Sequence, residues 1–258
     1  MKKSPKICVH HLKKSFGDKK VLKGVDLEIA EGESMVILGG SGSGKSVLIK
    51  SICTLLDISA GSIEIDGREV TRLSSRQQNH LMKKIGYLFQ GGALFDSLTV
   101  WQNVAFRLIN SEGVKKSMAR DIAIKKLSDV GLEKRVADLY PSEISGGMQK
   151  RVSLARAVAT DPEIIFFDEP TTGLDPIMSD VVNDLIIKNS KMLGATTVTI
   201  THDMASANKI ADRVAMLYDG KIIWCDKKSK LKKSDNKFVD QFINGKADGP
   251  INFLSGKR

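Results

Sequence analysis

The sequence predicts an α/β fold in which a mostly parallel core sheet is accompanied by an antiparallel β subdomain and an inserted helical subdomain. After residue 160, short apolar segments of strand length alternate with helical segments, which is typical of a parallel sheet. Residues 62–65 lead into Asp66-Gly67, a strong hairpin signal that indicates antiparallel pairing. Residues of about 92–160 are mostly helical in pattern, and a helical block of this size between strands indicates a subdomain.

The individual elements follow from hydrophobic spacing and from the turns that bound each apolar run. Apolar runs predict strands at residues 7–12, 21–29, 35–38, 62–65, 85–89, 164–167, 196–200, 213–218 and 221–225. The last two strands form a hairpin that turns at Asp219-Gly220. Helical spacing predicts helices at residues 47–56, 72–84, 100–108, 114–130, 178–192, 204–210 and 238–242, and a long helix that begins at Ser145.

Composition excludes several classes of protein. The chain has 258 residues, of which 41% are hydrophobic and 27% charged, ordinary values for a globular protein with a full core. No apolar run approaches the roughly 18 residues of a membrane-spanning helix. Cys8, Cys53 and Cys225 are odd in number, far apart and without metal-ligand spacing. We therefore expect a soluble cytoplasmic protein rather than an integral membrane protein, a disulfide scaffold or a disordered chain.

The net charge of +10 is concentrated at the two ends of the chain. Residues 1–24 carry eight lysines and arginines against one aspartate, and residues 219–258 carry ten against five. The residues between the two ends are therefore neutral to slightly acidic in total. This charge distribution is not typical of a protein that recognises nucleic acid. Basic ends suit proximity to phosphates or to an anionic membrane face, and the alternative is a set of solvated lysines that keep the protein soluble.

A glycine-rich motif lies between the predicted strand at residues 35–38 and the helix that follows. It has the sequence Gly39-Gly40-Ser41-Gly42-Ser43-Gly44-Lys45-Ser46, which matches the pattern G-x-x-x-x-G-K-[ST]. Such glycines let backbone N–H groups surround phosphate oxygens, and the helix presents its positive end to the same anion. Lys45 is the expected countercharge for the β- and γ-phosphates, and the Ser46 hydroxyl is an expected Mg²⁺ ligand. The alternative is a glycine- and serine-rich turn with a chance lysine.

Two carboxylates end the apolar strand at residues 164–167. Asp168 emerges at the carboxyl end of the strand, where ligands of parallel sheets collect, and is the expected partner of the Mg²⁺ near Ser46. Glu169 follows it and is placed to polarise the water that attacks the γ-phosphate. A charge buried there is costly unless a metal or a cation compensates it. An ordinary strand-ending acidic pair is the alternative.

A second glycine motif carries a family resemblance. Ser145 is a good N-cap, and Gly146 and Gly147 allow close backbone approach at the start of a helix, which makes another anion-binding helix end. The stretch from Glu143 to Arg151 resembles the signature motif of ATP-binding cassette (ABC) ATPases, and it lies upstream of Asp168 as in that family. The resemblance implies a P-loop NTPase fold of the ABC ATPase type and a homodimer in which this helix end completes the partner's ATP site.

The other motifs of that family are present in order. Phe16 resembles the aromatic residue that stacks on adenine, with a core phenylalanine as the alternative. Gln90 matches the glutamine that links the γ-phosphate and metal site to the helical subdomain. Asp175, in Leu174-Asp175, matches the loop that crosses the dimer interface. His202 matches the switch histidine that senses the γ-phosphate.

The chain departs from the family pattern at two places, in the signature motif and in the interface loop. The signature has Ile144 and Met148 where leucine and glutamine are usual, and the interface loop has Thr172-Gly173 where Ser-Ala is common. Neither departure alters the carboxylates or the phosphate loop, so ATP hydrolysis is still expected.

The stretch from Leu88 to Val100 is similar to the glutamine-loop region of Mla-type ATPases, subunits of MCE-linked bacterial phospholipid transporters. Met148 and the tail sequence Ala247-Asp248-Gly249-Pro250 also resemble that subgroup. The resemblance implies a peripheral homodimer on the cytoplasmic face of the inner membrane. Its partners would be permease subunits, an MCE-domain lipid-binding protein and a small STAS-domain protein, with no nucleic acid.

Other functions share many of these motifs. An ABC subunit for another solute has every catalytic motif and differs at residues 91–100 and in the tail. After the phospholipid transporter subunit and the subunit for another solute, a third hypothesis is a soluble ABC-type ATPase that acts on nucleic acid. The single cassette and the neutral body of the chain count against it. A module that binds nucleotide without hydrolysis is the fourth, and Glu169 and His202 count against it.

We expect one ABC ATP-binding domain at residues 1–243, with the helical subdomain at about 92–160, followed by a C-terminal tail at 244–258 that contacts a partner. Leu94, Phe95 and Leu98 are expected to dock a cytoplasmic helix of the permease, and ordinary packing within the helical subdomain is an equal alternative.

Overall fold

A computed structural model describes residues 5–251 of the chain. Its strands are β1 (Pro5–Phe16), β2 (Lys19–Ala30), β3 (Ser34–Leu38), β4 (Ala60–Ile65), β5 (Arg68–Glu69), β6 (Ile85–Leu88), β7 (Ile164–Asp168), β8 (Thr196–Thr201), β9 (Arg213–Tyr218) and β10 (Lys221–Lys227). Its α-helices are α1 (Lys45–Ile52), α2 (Ser75–Lys83), α3 (Val100–Asn110), α4 (Lys116–Asp129), α5 (Gly146–Ala157), α6 (Pro176–Leu193), α7 (Met204–Ile210) and α8 (Lys237–Ile243). Short 3₁₀ helices lie at Lys134–Asp138, Pro141–Glu143 and Lys228–Lys233.

The strands form two sheets, as the sequence predicts. The smaller sheet has the order β2-β1-β4-β5, and all of its pairs are antiparallel. The larger sheet has the order β10-β9-β3-β8-β7-β6 and is parallel except for the β9–β10 hairpin at its edge. The predicted α/β fold of the P-loop type, with a mostly parallel sheet and an antiparallel β subdomain, is confirmed.

Both faces of the parallel sheet are covered. Successive side chains of β7 point to opposite faces: Phe166 belongs to one buried cluster with α1 and the small sheet, and Phe167 to a second cluster with the helices. Alternation on β3 is the same, because Ile37 joins the first cluster and Leu38 the second. β3 and β7 are therefore apolar except at their ends, and the neighbouring strand β8 is equally buried although four of its six residues are threonine.

The helical insert consists of α3, α4, α5 and two of the 3₁₀ helices. Its core is small: Val104, Ala123 and Leu127 are fully buried between the helices. Asn103 is also fully buried. Its side-chain oxygen accepts from the Phe95 N–H at 2.7 Å, and its side-chain nitrogen donates to the Phe95 carbonyl at 3.0 Å. This polar side chain fixes the shape of the loop that precedes α3.

Local capping explains where the helix boundaries differ from the sequence prediction. The helix predicted from residue 72 begins at Ser75, because Ser74 and Gln77 form a capping box. The helix predicted to reach residue 56 ends at Ile52, because Thr54 adopts a left-handed conformation with φ 56°. The 3₁₀ helices were not predicted, since they are too short to show a hydrophobic period.

The segment after α8 folds back on the domain. The buried amide of Gln241 donates to the carbonyls of Lys246 and Ile251 at 3.2 and 3.0 Å and accepts from the Ile251 N–H at 2.6 Å. The described part of the predicted tail is thus tied to its own domain by hydrogen bonds to Gln241 and by the buried Ile251, whereas residues 244–250 are exposed. Residues 252–258, the rest of that tail, lie outside the described residues. Within residues 5–251 no helix has both the length and the apolar character needed to cross a membrane.

Candidate functional site

The glycine-rich loop lies between β3 and α1, at the carboxyl edge of the parallel sheet. Gly42 and Gly44 adopt φ values of 76° and 103°, a conformation that side chains with a Cβ rarely adopt. At Gly39 a Cβ would lie 2.5 Å from the Leu217 carbonyl oxygen. Ser43 Oγ is buried and has no hydrogen-bond partner among the described residues. The loop therefore requires glycine at these positions and carries a buried hydroxyl that is available to a ligand.

Lys45 is the first residue of α1 and is only 6% exposed. Its Nζ donates to the carbonyls of Gly39 and Gly40 at 2.8 and 3.0 Å and lies 3.8 Å from Glu169 Oε1. Burial lowers the pKa of Lys45, and the charges of Glu169 and Asp168 oppose that shift. The cation is thus held inside the loop rather than in solvent.

Asp168 ends β7 with a side chain that is almost fully buried. Its Oδ1 accepts from Ser46 Oγ at 3.3 Å, and its Oδ2 accepts from the Tyr87 hydroxyl at 3.3 Å. No described lysine or arginine forms an ion pair with it, and burial raises the pKa of its carboxyl. The donor set of hydroxyl and carboxylate oxygens is the kind that Mg²⁺ prefers, and a bound cation would compensate the buried charge.

Glu169 adopts a left-handed backbone with φ 50° and is 7% exposed. Its Oε2 accepts from Thr172 Oγ1 at 2.8 Å and lies 2.8 Å from His202 Nδ1. Because Lys45 Nζ lies 3.8 Å from Oε1, both oxygens of the carboxylate have partners. The structure therefore brings together the predicted catalytic pair Glu169 and His202, beside the phosphate loop.

Gln90 follows β6 and is exposed. The chain immediately after it is attached to α5, because Ser153 Oγ and Arg156 donate to the Gly92 carbonyl at 3.1 and 2.6 Å. At Gly92, with φ 85°, a Cβ would meet Ser153 Oγ at 2.7 Å. Sequence reasoning missed Ser153 and Arg156, which tie this loop to the helix that carries the signature motif.

Lys150 is a further residue that sequence reasoning missed. It lies on α5, is 7% exposed and has no hydrogen bond or ion pair with the described residues. Burial lowers the pKa of its ammonium, and the negative charges of Asp168 and Glu169 oppose that shift. Lys150 is therefore a second buried cation, besides Lys45, that adds positive potential at the two carboxylates.

The predicted adenine-stacking residue is on the surface. Phe16 ends β1 and is 48% exposed, with Lys14 Nζ 4.9 Å from the centre of its ring. The alternative that Phe16 is an ordinary core residue is wrong, because nearly half of the ring surface is open to solvent.

The signature and interface residues also lie on the surface. Ser145 caps α5 by accepting from the Met148 N–H at 3.3 Å, and Asp175 caps α6 by accepting from Ile177 and Met178. In the described part of the chain, no hydrogen bond joins residues 145–147 to the phosphate loop. Ser145 and Gly146, the exposed start of the signature helix, are therefore not held by hydrogen bonds to the phosphate loop in the described structure.

This arrangement defines a class of protein. A glycine-rich loop between a parallel strand and a helix, with a lysine inside it and paired acids at the end of a neighbouring strand, is the site of a P-loop nucleoside triphosphatase. The "ABC transporter" family model matches residues 22–172. The chain belongs to the ABC transporter family, as an ATP-binding cassette with ATPase activity.

Relatives and solved structures agree with this assignment. The chain is 41% identical to the probable ribonucleotide transport ATP-binding protein mkl of Mycobacterium leprae, over 97% of this chain and 72% of that protein. It is 38% identical to the intermembrane phospholipid transport system ATP-binding protein MlaF of Haemophilus influenzae, over 96% of this chain and 93% of that protein. A solved dimeric ATP-binding cassette with ADP and phosphate superposes with a TM-score of 0.79 at 33% identity, over 86% of this chain and 98% of that one.

Proposed function

We propose that the protein is the ATP-hydrolysing subunit of a bacterial inner-membrane transporter that moves phospholipid between the inner and outer membranes. The observation that carries the proposal is the similarity to MlaF, which extends over nearly the full length of both chains. In such a complex the chain lies peripherally on the cytoplasmic face of the membrane. Its partners are two permease subunits, an MCE-domain lipid-binding protein and a small STAS-domain protein.

ATP and Mg²⁺ are the proposed ligands of the site. Residues 39–46 surround the phosphates, Lys45 neutralises part of their charge, and Phe16 stacks on the adenine. Ser46, Asp168 and Gln90 supply oxygen ligands for Mg²⁺, which when bound stabilises the negative charge of the phosphates. The buried carboxylate of Asp168 and the unpartnered hydroxyl of Ser43 support this assignment.

Glu169 and His202 are the proposed catalytic residues. The Glu169 carboxylate orients the attacking water and accepts its proton, and His202, 2.8 Å away, holds that carboxylate and senses the γ-phosphate. Because 58% of the His202 side chain is exposed, its ring can reach a ligand on the open side of the site. Gln90 transmits the state of this site to the helical insert through the contacts of Gly92 with α5.

The functional unit is a proposed homodimer in which Ser145, Gly146, Gly147 and Asp175 complete the partner's site. Around a Cβ placed on Gly146 there is no atom within 4 Å, so its own chain does not require glycine there. Ile177, next to Asp175, is 76% exposed and apolar. Both features support a surface that is covered by a second copy.

The membrane partner is proposed to dock on the loop before α3. Phe95 is 43% exposed and packs on Phe106, itself 38% exposed, with ring centres 4.6 Å apart. Leu94 and Leu98 are half-buried, so Phe95 offers most of the apolar surface in this loop. Asn103 holds the backbone of Phe95 in place, which presents its ring as a rigid contact.

The test is purification of the tagged protein from detergent-solubilised membranes, with identification of the proteins and lipids that accompany it. We expect permease and MCE-domain proteins together with bound phospholipid. The matched variant Phe95→Asp should lower recovery of the permease while ATP binding is unchanged. Recovery of a complex with a different solute-binding protein and no bound lipid would exclude the phospholipid assignment.

The second candidate is an ABC subunit for another solute, and the similarity to the mycobacterial protein named for ribonucleotide transport favours it. The two candidates differ in what changes the ATPase rate of the complex in lipid nanodiscs. Phospholipid composition should change the rate for a lipid transporter, and added ribonucleotide should change it for the second candidate.

The tail is proposed to contact a partner through residues beyond Ile251. Because Ile251 is buried against Gln241, truncation must begin after it to leave the domain intact. Removal of residues 252–258 should reduce assembly of the complex without changing ATP hydrolysis by the isolated subunit. Unchanged assembly would remove this part of the proposal.

A further inference from the structure

Tyr87 is the only tyrosine on the strand that leads to Gln90, and its side chain points at the metal site rather than at solvent. It lies on β6 opposite Phe166 of β7 and is 8% exposed. Its ring packs against Phe89 and Phe166, with ring centres 4.2 and 6.2 Å apart. These two ring contacts leave the buried phenol little freedom to turn away.

The Tyr87 hydroxyl has one hydrogen-bond partner among the described residues, Oδ2 of Asp168 at 3.3 Å. The other oxygen of that carboxylate, Oδ1, faces Ser46 Oγ at the same distance. Because a neutral phenol and a carboxylate interact as donor and acceptor, Tyr87 fixes the rotation of the Asp168 side chain about its terminal bond. That rotation decides which oxygen faces Ser46.

We infer that Tyr87 is a positioning residue, which aligns Asp168 Oδ1 with Ser46 so that the two oxygens receive Mg²⁺ together with bound ATP. The inference rests on the proposed Mg²⁺ site and adds a residue to it. Removal of a group that orients a metal-ligating carboxylate typically lowers metal affinity or activity about 10- to 100-fold. Because Tyr87 lies three residues before Gln90, the same contact also connects the metal site to the strand that enters the glutamine loop.

The test is the variant Tyr87→Phe, which removes only the hydroxyl and keeps the packing on Phe89 and Phe166. The measurement is the Kd of a non-hydrolysable ATP analogue in EDTA and in Mg²⁺. We expect Tyr87→Phe to leave the Kd in EDTA unchanged and to reduce the gain in affinity that Mg²⁺ provides by about tenfold. The matched control is Tyr218→Phe, whose ring packs on Phe238 and whose hydroxyl has no described hydrogen-bond partner.

A double-mutant cycle with Asp168→Asn separates positioning from a general effect on folding. In the Asp168→Asn background, Tyr87→Phe should change the Mg²⁺ gain no further, because the carboxylate that it orients is gone. An unchanged Mg²⁺ gain in Tyr87→Phe alone, or an equal loss in both backgrounds, overturns the inference. If the wild-type protein itself binds the analogue equally well in EDTA and in Mg²⁺, the proposed Mg²⁺ site fails first, and the role of Tyr87 fails with it.

Discussion

At Glu169 the backbone adopts a left-handed conformation, which costs a residue with a Cβ about 1 kcal/mol. The carboxylate is nevertheless fixed, because Thr172, His202 and Lys45 all lie within 4 Å of its oxygens. The strained conformation lies directly after Asp168, the last residue of β7. The turn thus directs two adjacent carboxylates to different partners: Asp168 toward Ser46 and Glu169 toward His202.

Glu169→Gln should keep ATP binding and abolish hydrolysis, because an amide has nearly the same shape as the carboxylate and accepts a water proton poorly. We expect hydrolysis to fall by at least about 100-fold and the protein to accumulate as a closed dimer in ATP. Release of phosphate and size-exclusion chromatography measure the two effects. The control Glu133→Gln changes an exposed glutamate of the helical insert, directly before the 3₁₀ helix Lys134–Asp138. A Glu169→Gln protein that stays monomeric in ATP would contradict the dimeric site.

Lys45→Ala should lose ATP binding, because it removes the ammonium group that neutralises phosphate charge. The carbonyls of Gly39 and Gly40 also lose their hydrogen-bond donor. A loss of affinity of at least about tenfold is expected, since hydrogen bonds to charged groups contribute about 1.5–3 kcal/mol. Binding of a fluorescent ATP analogue measures it, with Lys191→Ala, an exposed lysine near the end of α6, as the control. Equal affinity in the two variants would exclude the proposed role of the loop.

At the scale of elements, a cluster of four charges joins the two sheets at the edge of the parallel sheet opposite the phosphate loop. Lys6 on β1 bonds Asp66 and Glu163 at 2.7 and 2.6 Å, and Lys84, before β6, bonds the same two carboxylates at 3.0 and 3.2 Å. The hydrogen bond from Lys6 lowers the pKa of Glu163 and outweighs the effect of burial. Each of the two lysines pairs with both carboxylates, so the cluster connects the amino ends of β6 and β7 to the antiparallel sheet.

Glu163→Gln should therefore reduce stability in a pH-dependent way. Because folding lowers the pKa of Glu163 below its ordinary value of 4.5, its contribution is complete above that pH and is lost as the pH falls through the lowered value. We expect a loss of about 1 kcal/mol at pH 7, kept small because 47% of the side chain is exposed.

Urea unfolding at several pH values measures this effect, and the difference between wild type and Glu163→Gln should shrink as the pH falls below about 4.5. The control Glu28→Gln concerns an exposed glutamate of β2 that has no ion pair among the described residues, and it should change stability little at any pH. A constant difference across pH would mean that the ion pairs contribute nothing to folding.

At the scale of the whole molecule, the side chains of His202 and Phe16 at the nucleotide site are 58% and 48% exposed, and Ser145 and Asp175 also lie on the surface. Ile177 is the most exposed of the large hydrophobic side chains in the described part of the chain. A side chain of this kind beside the helix cap Asp175 is expected to be covered by another subunit.

Ile177→Asp should block dimer formation, because it places a charge in an apolar interface. In the Glu169→Gln background with ATP, we expect the protein to elute as a monomer, with a thermal unfolding temperature close to that of the parent. Met192→Asp is the matched control, since Met192 is 55% exposed near the other end of the same helix. Dimers in both variants would place the interface elsewhere.

Much of the fold could be predicted, because most strands of the central sheet are short apolar runs and the phosphate loop is a local pattern. Asp168 was found from its position after such a run. Tyr87 was not, because the hydroxyl that reaches Asp168 is separated from it by 81 positions in the chain. The same holds for Ser153 and Arg156, whose contacts with Gly92 depend on how α5 packs on the loop.

The sequence by itself determined the phosphate loop, the two acids and the family, since these depend on residues that are neighbours along the chain. Tertiary structure alone decided that Glu169 faces His202, that Tyr87 faces Asp168 and that Phe16 is exposed. The physical reason is that parallel pairing of β6, β7, β3 and β8 brings together strand ends that are far apart in sequence. Local patterns identify which side chains reach that edge, and only strand order and register decide which of them touch.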